Sequence, residues 1–244
     1  MAGLDTGPSF ILRYRHIGNP LARSTVRGKC VLPALLRRQV RELARRGCRP
    51  SVVRELLAAD DNDCCALTFD GGYLSVMEQA WPILAEGSMP ATVFVVANLV
   101  GGTNWWDQRE GDRAEPLLGK RELRALAAAG WEVGSQSGSH VRLTTLASVP
   151  LREEIRGSKA RLEDMLGAPV TGFCYPYGEW NARVRDEVTE AGYAYAVTGQ
   201  TGALFDDADL FALPRVEVGW NAVGFLFRRL LARARQGSGA HAAG

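Results

Sequence analysis

The feature that most constrains this chain is a repeated alternation of short apolar runs with helix-patterned segments, sustained from residue 9 to residue 235. Ser9–Tyr14, Cys64–Phe69, Ala91–Val96, 131–135, 171–174, 193–198 and 211–218 each read as strands, because they are apolar, partly β-branched or aromatic, and too short for helices. Between them, Leu32, Leu35, Leu36, Val40 and Leu43 share one helical face, with Pro33 near the start and Gly47 at the end. Helical spacing also marks 73–86, 120–129, 150–166, 181–191 and 221–235. Strands buried on both faces and alternating with helices require a parallel sheet covered by helices. About seven such units fit a distorted (β/α) barrel better than an open sheet. The expectation is therefore an α/β fold in one domain, 1–236, with a Gly/Ala/Ser-rich tail at 237–244 expected to be disordered.

Composition excludes some classes of partner. With 46% hydrophobic residues, 23% charged residues and a formal net charge of +2, no strong field draws this chain onto nucleic acid. The pairs Arg37–Arg38 and Arg228–Arg229, with Arg233 and Arg235, read as solvated helix faces. No run of 18 apolar residues and no signal-like start are visible, so the sequence predicts no membrane association and a cytoplasmic location. Five cysteines, an odd number without zinc-ribbon spacing, read as reduced thiols. The expected partner is a small-molecule substrate, and oligomeric state is not legible.

In barrels of this kind, chemistry gathers on the loops that follow the strands. Those loops are Asp70-Gly71-Gly72, Gln136 to His140, and Tyr175-Pro176-Tyr177-Gly178; a long polar loop, Gly101 to Gly119, adds Trp105, Trp106 and Asp107. Thr68-Phe69-Asp70-Gly71-Gly72-Tyr73 resembles the T-F-D-D-G-Y motif of the polysaccharide deacetylase (NodB-homology) family. Gly134 to His140 is similar to its G-S-H-[ST]-x-x-S-H-type motif, and Phe173 to Gly178 to its P-Y-G loop. Leu12-Arg13-Tyr14-Arg15-His16-Ile17, Thr103 to Asp107 and Leu213 to Glu217 resemble further stretches of cytosolic and biosynthetic members. The pieces run in register over roughly residues 9 to 220.

The resemblance implies that Asp70 is the general base and that His140 stands at the second metal-binding histidine. Gly71 stands where the family has a metal-binding aspartate, Gln136 where it has the first histidine, and Arg15 where the opening motif has a histidine. The family's late general-acid histidine has no counterpart. A catalytic zinc needs about three protein ligands plus an open position, and a neutral amide is a poor substitute for imidazole. The sequence thus predicts no metal and no cofactor.

Asp70 and His140 are the expected catalytic pair, moving protons. Arg15, Tyr73, Trp105, Trp106, Asp107, Gln136, Tyr177 and Arg215 are the expected substrate contacts, with Arg215 gripping a carboxylate or enolate and backbone amides near Tyr177 and Gly178 holding an oxyanion. For Asp70 a helix cap, and for His140 a turn contact, are the structural alternatives. The functional expectation is metal-independent dehydration, conjugate addition with cyclisation, or isomerisation of a small biosynthetic intermediate. Two alternatives stand beside it: hydrolytic N- or O-deacetylation of a sugar or glycoconjugate, and ligand binding without catalysis.

Overall fold

The computed structural model describes residues 8–19, 27–59, 64–109, 111–205 and 207–236. The predicted tail lies outside these residues. The strands are β1 Phe10–Tyr14, β2 His16–Ile17, β3 Cys30–Val31, β4 Arg49–Ser51, β5 Cys64–Asp70, β6 Thr92–Val95, β7 Glu132–Ser135, β8 Gly172–Cys174, β9 Tyr195–Val197 and β10 Val216–Glu217. The α-helices are α1 Pro33–Arg45, α2 Val53–Ala58, α3 Trp81–Ala85, α4 Trp105–Gln108, α5 Lys120–Ala128, α6 Ser148–Arg152, α7 Ser158–Leu166, α8 Ala182–Glu190 and α9 Gly224–Gln236.

Eight strands form one parallel sheet in the order β10-β1-β5-β6-β7-β8-β9, with β4 paired to the first half of β5. The sheet curls into a half-barrel with helices outside, the distorted (β/α) barrel that the alternation predicts. Successive strand side chains point to opposite faces, and the two faces differ in kind. Phe10, Leu12 and Tyr14 of β1, Cys65, Leu67 and Phe69 of β5, and Val93 and Val95 of β6 pack in the large outer core beneath the helices. The alternate residues Ile11, Ala66, Phe94, Cys174, Tyr195 and Val197 form a smaller inner cluster. The same parity carries Arg13, Asp70 and, one residue beyond β7, Gln136 up the inner face to the mouth. Gly134 is part of this packing, because a Cβ there would stand 2.5 Å from the Phe94 ring.

Several elements depart from the sequence expectation. Leu32 precedes α1 as its N-cap and is 43% exposed, so the buried stripe is Leu35, Leu36, Val40 and Leu43. The segment predicted as strand 211–218 pairs only at β10, with one further bridge from Leu213 to Val197. The predicted helices at 73–86 and 150–166 contain widened π-type turns at Val76–Ala80 and Glu153–Gly157. The loop at 101–119 contains the short helix α4, and β2, β3, β4 and α2 had no predicted counterpart. The last of these helices is short and lacks a side-chain cap of its own. Its first amides are instead met from the sheet, Val53 N–H donating to Thr92 Oγ1 at 3.0 Å and Arg54 N–H to Glu132 Oε2 at 3.1 Å. No helix among the described residues is long and apolar enough to cross a membrane.

Candidate active site

A cavity of about 120 Å³ opens at the C-terminal ends of β1, β5, β7 and β8, with Arg13, Arg15, Asp70, Trp106, Gln136, His140 and Tyr177 in its wall. Asp70, the last residue of β5, is gripped by a two-pronged ion pair. Arg215 Nη1 donates to Oδ1 at 2.6 Å and Nη2 donates to Oδ2 at 2.8 Å. Arg215 is itself fixed by Thr198 O at 3.1 Å, Thr68 Oγ1 at 3.0 Å and Cys174 Sγ at 3.4 Å. Burial is the largest single influence and raises the Asp70 carboxyl pKa, but the charge and hydrogen bonds of Arg215 together with the charges of Arg13 and Arg15 outweigh it, and the net position is below the ordinary carboxylate value. Asp70 is therefore ionised at neutral pH. Arg215 is 2% exposed and does not line the cavity. Its fork serves Asp70, so the geometry does not bring it to a substrate carboxylate or enolate.

His140 sits in the left-handed backbone region at φ 56°, three residues after Ser137 at φ 64°. Such conformations are uncommon for non-glycine residues and need surrounding support. Here His140 N–H donates to Ser137 Oγ at 3.0 Å. The ring stacks on Trp106 at 4.4 Å and meets Tyr177 edge-on at 4.7 Å. Burial first, and then the nearby Arg15 charge, push its pKa down to about 3. The imidazole is therefore neutral at pH 7, and a buried Nδ1 finds no hydrogen-bond partner among the described residues.

Arg15 is anchored from behind. Its Nη2 donates to Asp107 Oδ1, and its Nε donates to Tyr73 OH at 3.4 Å. Tyr73 OH donates in turn to Asp107 Oδ2, which also accepts from Asn104 Nδ2 at 2.9 Å. Asp107 and Tyr73 are buried and lie behind the cavity wall. Trp106 packs with Tyr73, Val96 and Leu117, which pins the 101–119 loop against the barrel. Trp105 lies at the edge of that cluster, with the Arg109 guanidinium 5.1 Å from its ring, and does not reach the cavity.

Tyr177, at φ 61°, turns its ring to the mouth with the Arg142 guanidinium 4.4 Å above it. The neighbouring Gly178 N–H donates to Tyr175 O at 2.8 Å and is thereby spent on closing the turn. Sequence reasoning missed Arg13 and Lys29 as wall residues. A strict period-2 reading of β1 finds the first of these, since Arg13 shares the face of Arg15.

The fold and the pocket define a class of half-barrel proteins in which a buried carboxylate at the end of a central strand faces a small cavity. The family model described as Polysaccharide deacetylase matches residues 58–196, and the chain belongs to that family. Among curated relatives, the polysaccharide deacetylase YxkH of Bacillus subtilis is 27% identical over 164 residues, covering 67% of this chain and 54% of the relative. A poly-β-1,6-N-acetyl-D-glucosamine N-deacetylase of Staphylococcus epidermidis is 25% identical over 171 residues, covering 66% and 57%. The chain thus spans a little over half the length of these relatives. In fold it is similar to a polysaccharide deacetylase of Bacillus cereus (TM-score 0.79, 21% identity, covering 91% of this chain and 68% of that one) and to IcaB of Ammonifex degensii (TM-score 0.78, 21%, 94% and 97%).

These findings correct the expectation of dehydration, cyclisation or isomerisation. The family and the relatives named here are deacetylases, which are hydrolases, and neither a lyase nor a cyclase is among them. The divalent ion that the resemblance implies does not fit the residues present. Gly71 has φ +94° and no side chain, and a Cβ there would stand 2.5 Å from the Tyr73 ring. Gln136 turns its Nε2 to Cys174 Sγ at 3.4 Å, and its amide oxygen is uncharged. Among the described residues no three His, Cys, Asp or Glu side chains come together as a ligand set.

Proposed function

We propose that this pocket hydrolyses acetyl groups from an acetylated carbohydrate, so that the partner is a glycan rather than a free biosynthetic intermediate. The observation that carries the reading is the Asp70 carboxylate, held ionised by Arg215 at the floor of a small cavity. Its volume of about 120 Å³ is well under the roughly 300–1,000 Å³ of sites that enclose a whole small ligand. A substituent such as an acetyl group fills it while the sugar chain stays outside. Kinship with enzymes named for N-acetylglucosamine polymers supports the same assignment.

In this mechanism Asp70 takes a proton from water as the oxygen attacks the acyl carbon. The carbon–oxygen or carbon–nitrogen bond to the sugar then breaks, the proton passes to the departing atom, and acetate is released. Asp70 is a weak base because its pKa is held low, and general bases work best when their pKa lies near the operating pH. Neutral His140 has no proton at pH 7 beyond its single ring N–H, so no strong acid assists an amine leaving group. Esters therefore turn over faster than amides.

The test is acetate release from O-acetylated xylan and from N-acetylglucosamine oligomers. The Asp70→Asn variant keeps the shape and one acceptor for Arg215, and it lowers kcat by about 10²–10⁴-fold with little change in KM. Acetate release by Asp70→Asn at the wild-type rate, or none by the wild type from any acetylated glycan, rules the reading out.

A further inference from the structure

The cavity wall contains a cluster of unmet polar atoms. Five buried side-chain polar atoms lack a hydrogen-bond partner among the described residues, and three of them belong to wall residues: Trp106 Nε1, Gln136 Oε1 and His140 Nδ1. A buried polar group without a partner is costly, so such groups mark places where a ligand or water completes the bonding. Arg15 shares this wall, with 19% of its side chain still accessible although Asp107 behind it is almost wholly buried. The aspartate, Tyr73 and Asn104 hold the guanidinium in one orientation, which is the arrangement that makes a fixed charge effective without reorganisation. Tyr73 links the two halves of the change. Its ring fills the space a side chain at position 71 would enter, and its hydroxyl supports Arg15.

We propose that Arg15 supplies the positive charge that a divalent ion would otherwise bring to this pocket. Its tethered guanidinium and the Trp106 indole N–H receive the oxygen of the substrate's acyl group and of the carboxylate product, while Gln136 Oε1 accepts an N–H or O–H from the substrate. The inference rests on the deacetylase reading of the same pocket and adds the recognition of the acyl group to it. Arginine suits the task because its planar fork matches a carboxylate and stays charged when buried.

Acetate is the probe. Its dissociation constant is measured by calorimetry in the presence of a chelator, for wild-type protein and for Arg15→Gln, Arg15→Lys and the double variant Arg15→Met/Asp107→Asn. The double variant removes both members of the ion pair, so no buried aspartate is left unpaired and the protein keeps its fold if the single variant does not. Wild-type protein binds acetate saturably without metal. Arg15→Gln and the double variant weaken binding by about 10–100-fold, the loss of a charged hydrogen bond, and Arg15→Lys lies between. Equal acetate binding by all forms, no saturable binding by the wild type, or binding that appears only on adding zinc or cobalt each overturns the proposal. A protein that binds acetate through Arg15 yet releases none from acetylated glycans keeps this inference and removes the deacetylase reading, so the two fail separately.

Discussion

At the residue scale the pocket works by holding two titratable groups away from their ordinary behaviour, in opposite chemical senses. Asp70 is charged because three arginines surround it, and His140 is uncharged because it is buried beside one of them. The histidine has a consequence for stability. In the unfolded chain it takes up a proton near its usual pKa of about 6.5, whereas the folded protein resists until pH is near 3. Between those values the unfolded state binds more protons, so stability falls as the solution is acidified. The loss reaches about 2 kcal/mol by pH 5, roughly 4–8 °C in Tm for a chain of this size. Asp70 does not contribute between pH 7 and pH 5, because its stabilising charge is lost only as pH falls through the ordinary carboxylate range and below. His16 is shifted in the same direction as His140, so the measurement compares thermal melts of wild type and His140→Asn from pH 7 to pH 5. A flatter profile for the variant is expected, and parallel profiles would show that His140 is not held neutral. That Asp70 and His140 stand on loops beside one another at the strand ends was readable from their motifs, and both line the cavity. The pairing of Asp70 with Arg215 was not, since 145 positions separate them and only the parallel pairing of β10 with β1 brings Arg215 to the end of β5.

At the scale of elements, the sheet positions the loops through a few close approaches that tolerate no extra atom. Gly178 follows β8 at φ +75°, and a Cβ there would stand 2.6 Å from the backbone of Gly199 beyond β9. Gly167, which ends α7 at φ +70°, has nothing within 4 Å of the same position. Gly167→Ala therefore meets only the cost of left-handed backbone, about 1 kcal/mol. Gly178→Ala adds a backbone collision and costs about 2–4 kcal/mol, with the Tyr177 turn displaced. Chemical denaturation of the two variants checks the ordering, and equal losses would mean that the β8 and β9 loops separate freely. At the opposite end of the sheet, Glu132 ties elements together, accepting from Thr92 Oγ1, Thr171 Oγ1 and the Arg54 amide. Strands β1 and β5 to β9 were legible because their apolar runs were contiguous. By contrast α2 was not, since six residues carry too little periodicity and its cap comes from Thr92 and Glu132 far along the chain. β10 was overextended because the apolar Leu213 sits beside the strand without joining its ladder.

At the scale of the whole molecule, the order of the motifs made the family legible, because it fixed which loop follows which strand around the barrel. The reaction was less legible, since one scaffold hosts different chemistries and an altered ligand set can be read as a change of reaction or as a change in how the same reaction is supported. Kinship favours the second, and the structure supplies a physical form for it in the coupled positions 15, 71, 73 and 107. Metal binding is where this conclusion meets the whole protein, because a ligand that binds the folded state alone raises its stability. An ion bound in place and present at about a thousand times its dissociation constant adds about 4 kcal/mol. For a chain of this length that is a rise of roughly 8–16 °C in Tm. With glycine at position 71, an uncharged amide at 136 and Asp107 committed to Arg15, Tyr73 and Asn104, zinc and cobalt have no such site in this pocket. Thermal melts with excess zinc or cobalt, and after chelation, should therefore superimpose on those of untreated protein, and acetate release should be unchanged across the same series. A metal-dependent rise of that size, lost when His140 is replaced, would mean that His140 recruits ligands from elsewhere and that the guanidinium of Arg15 is not the charge on which the pocket depends.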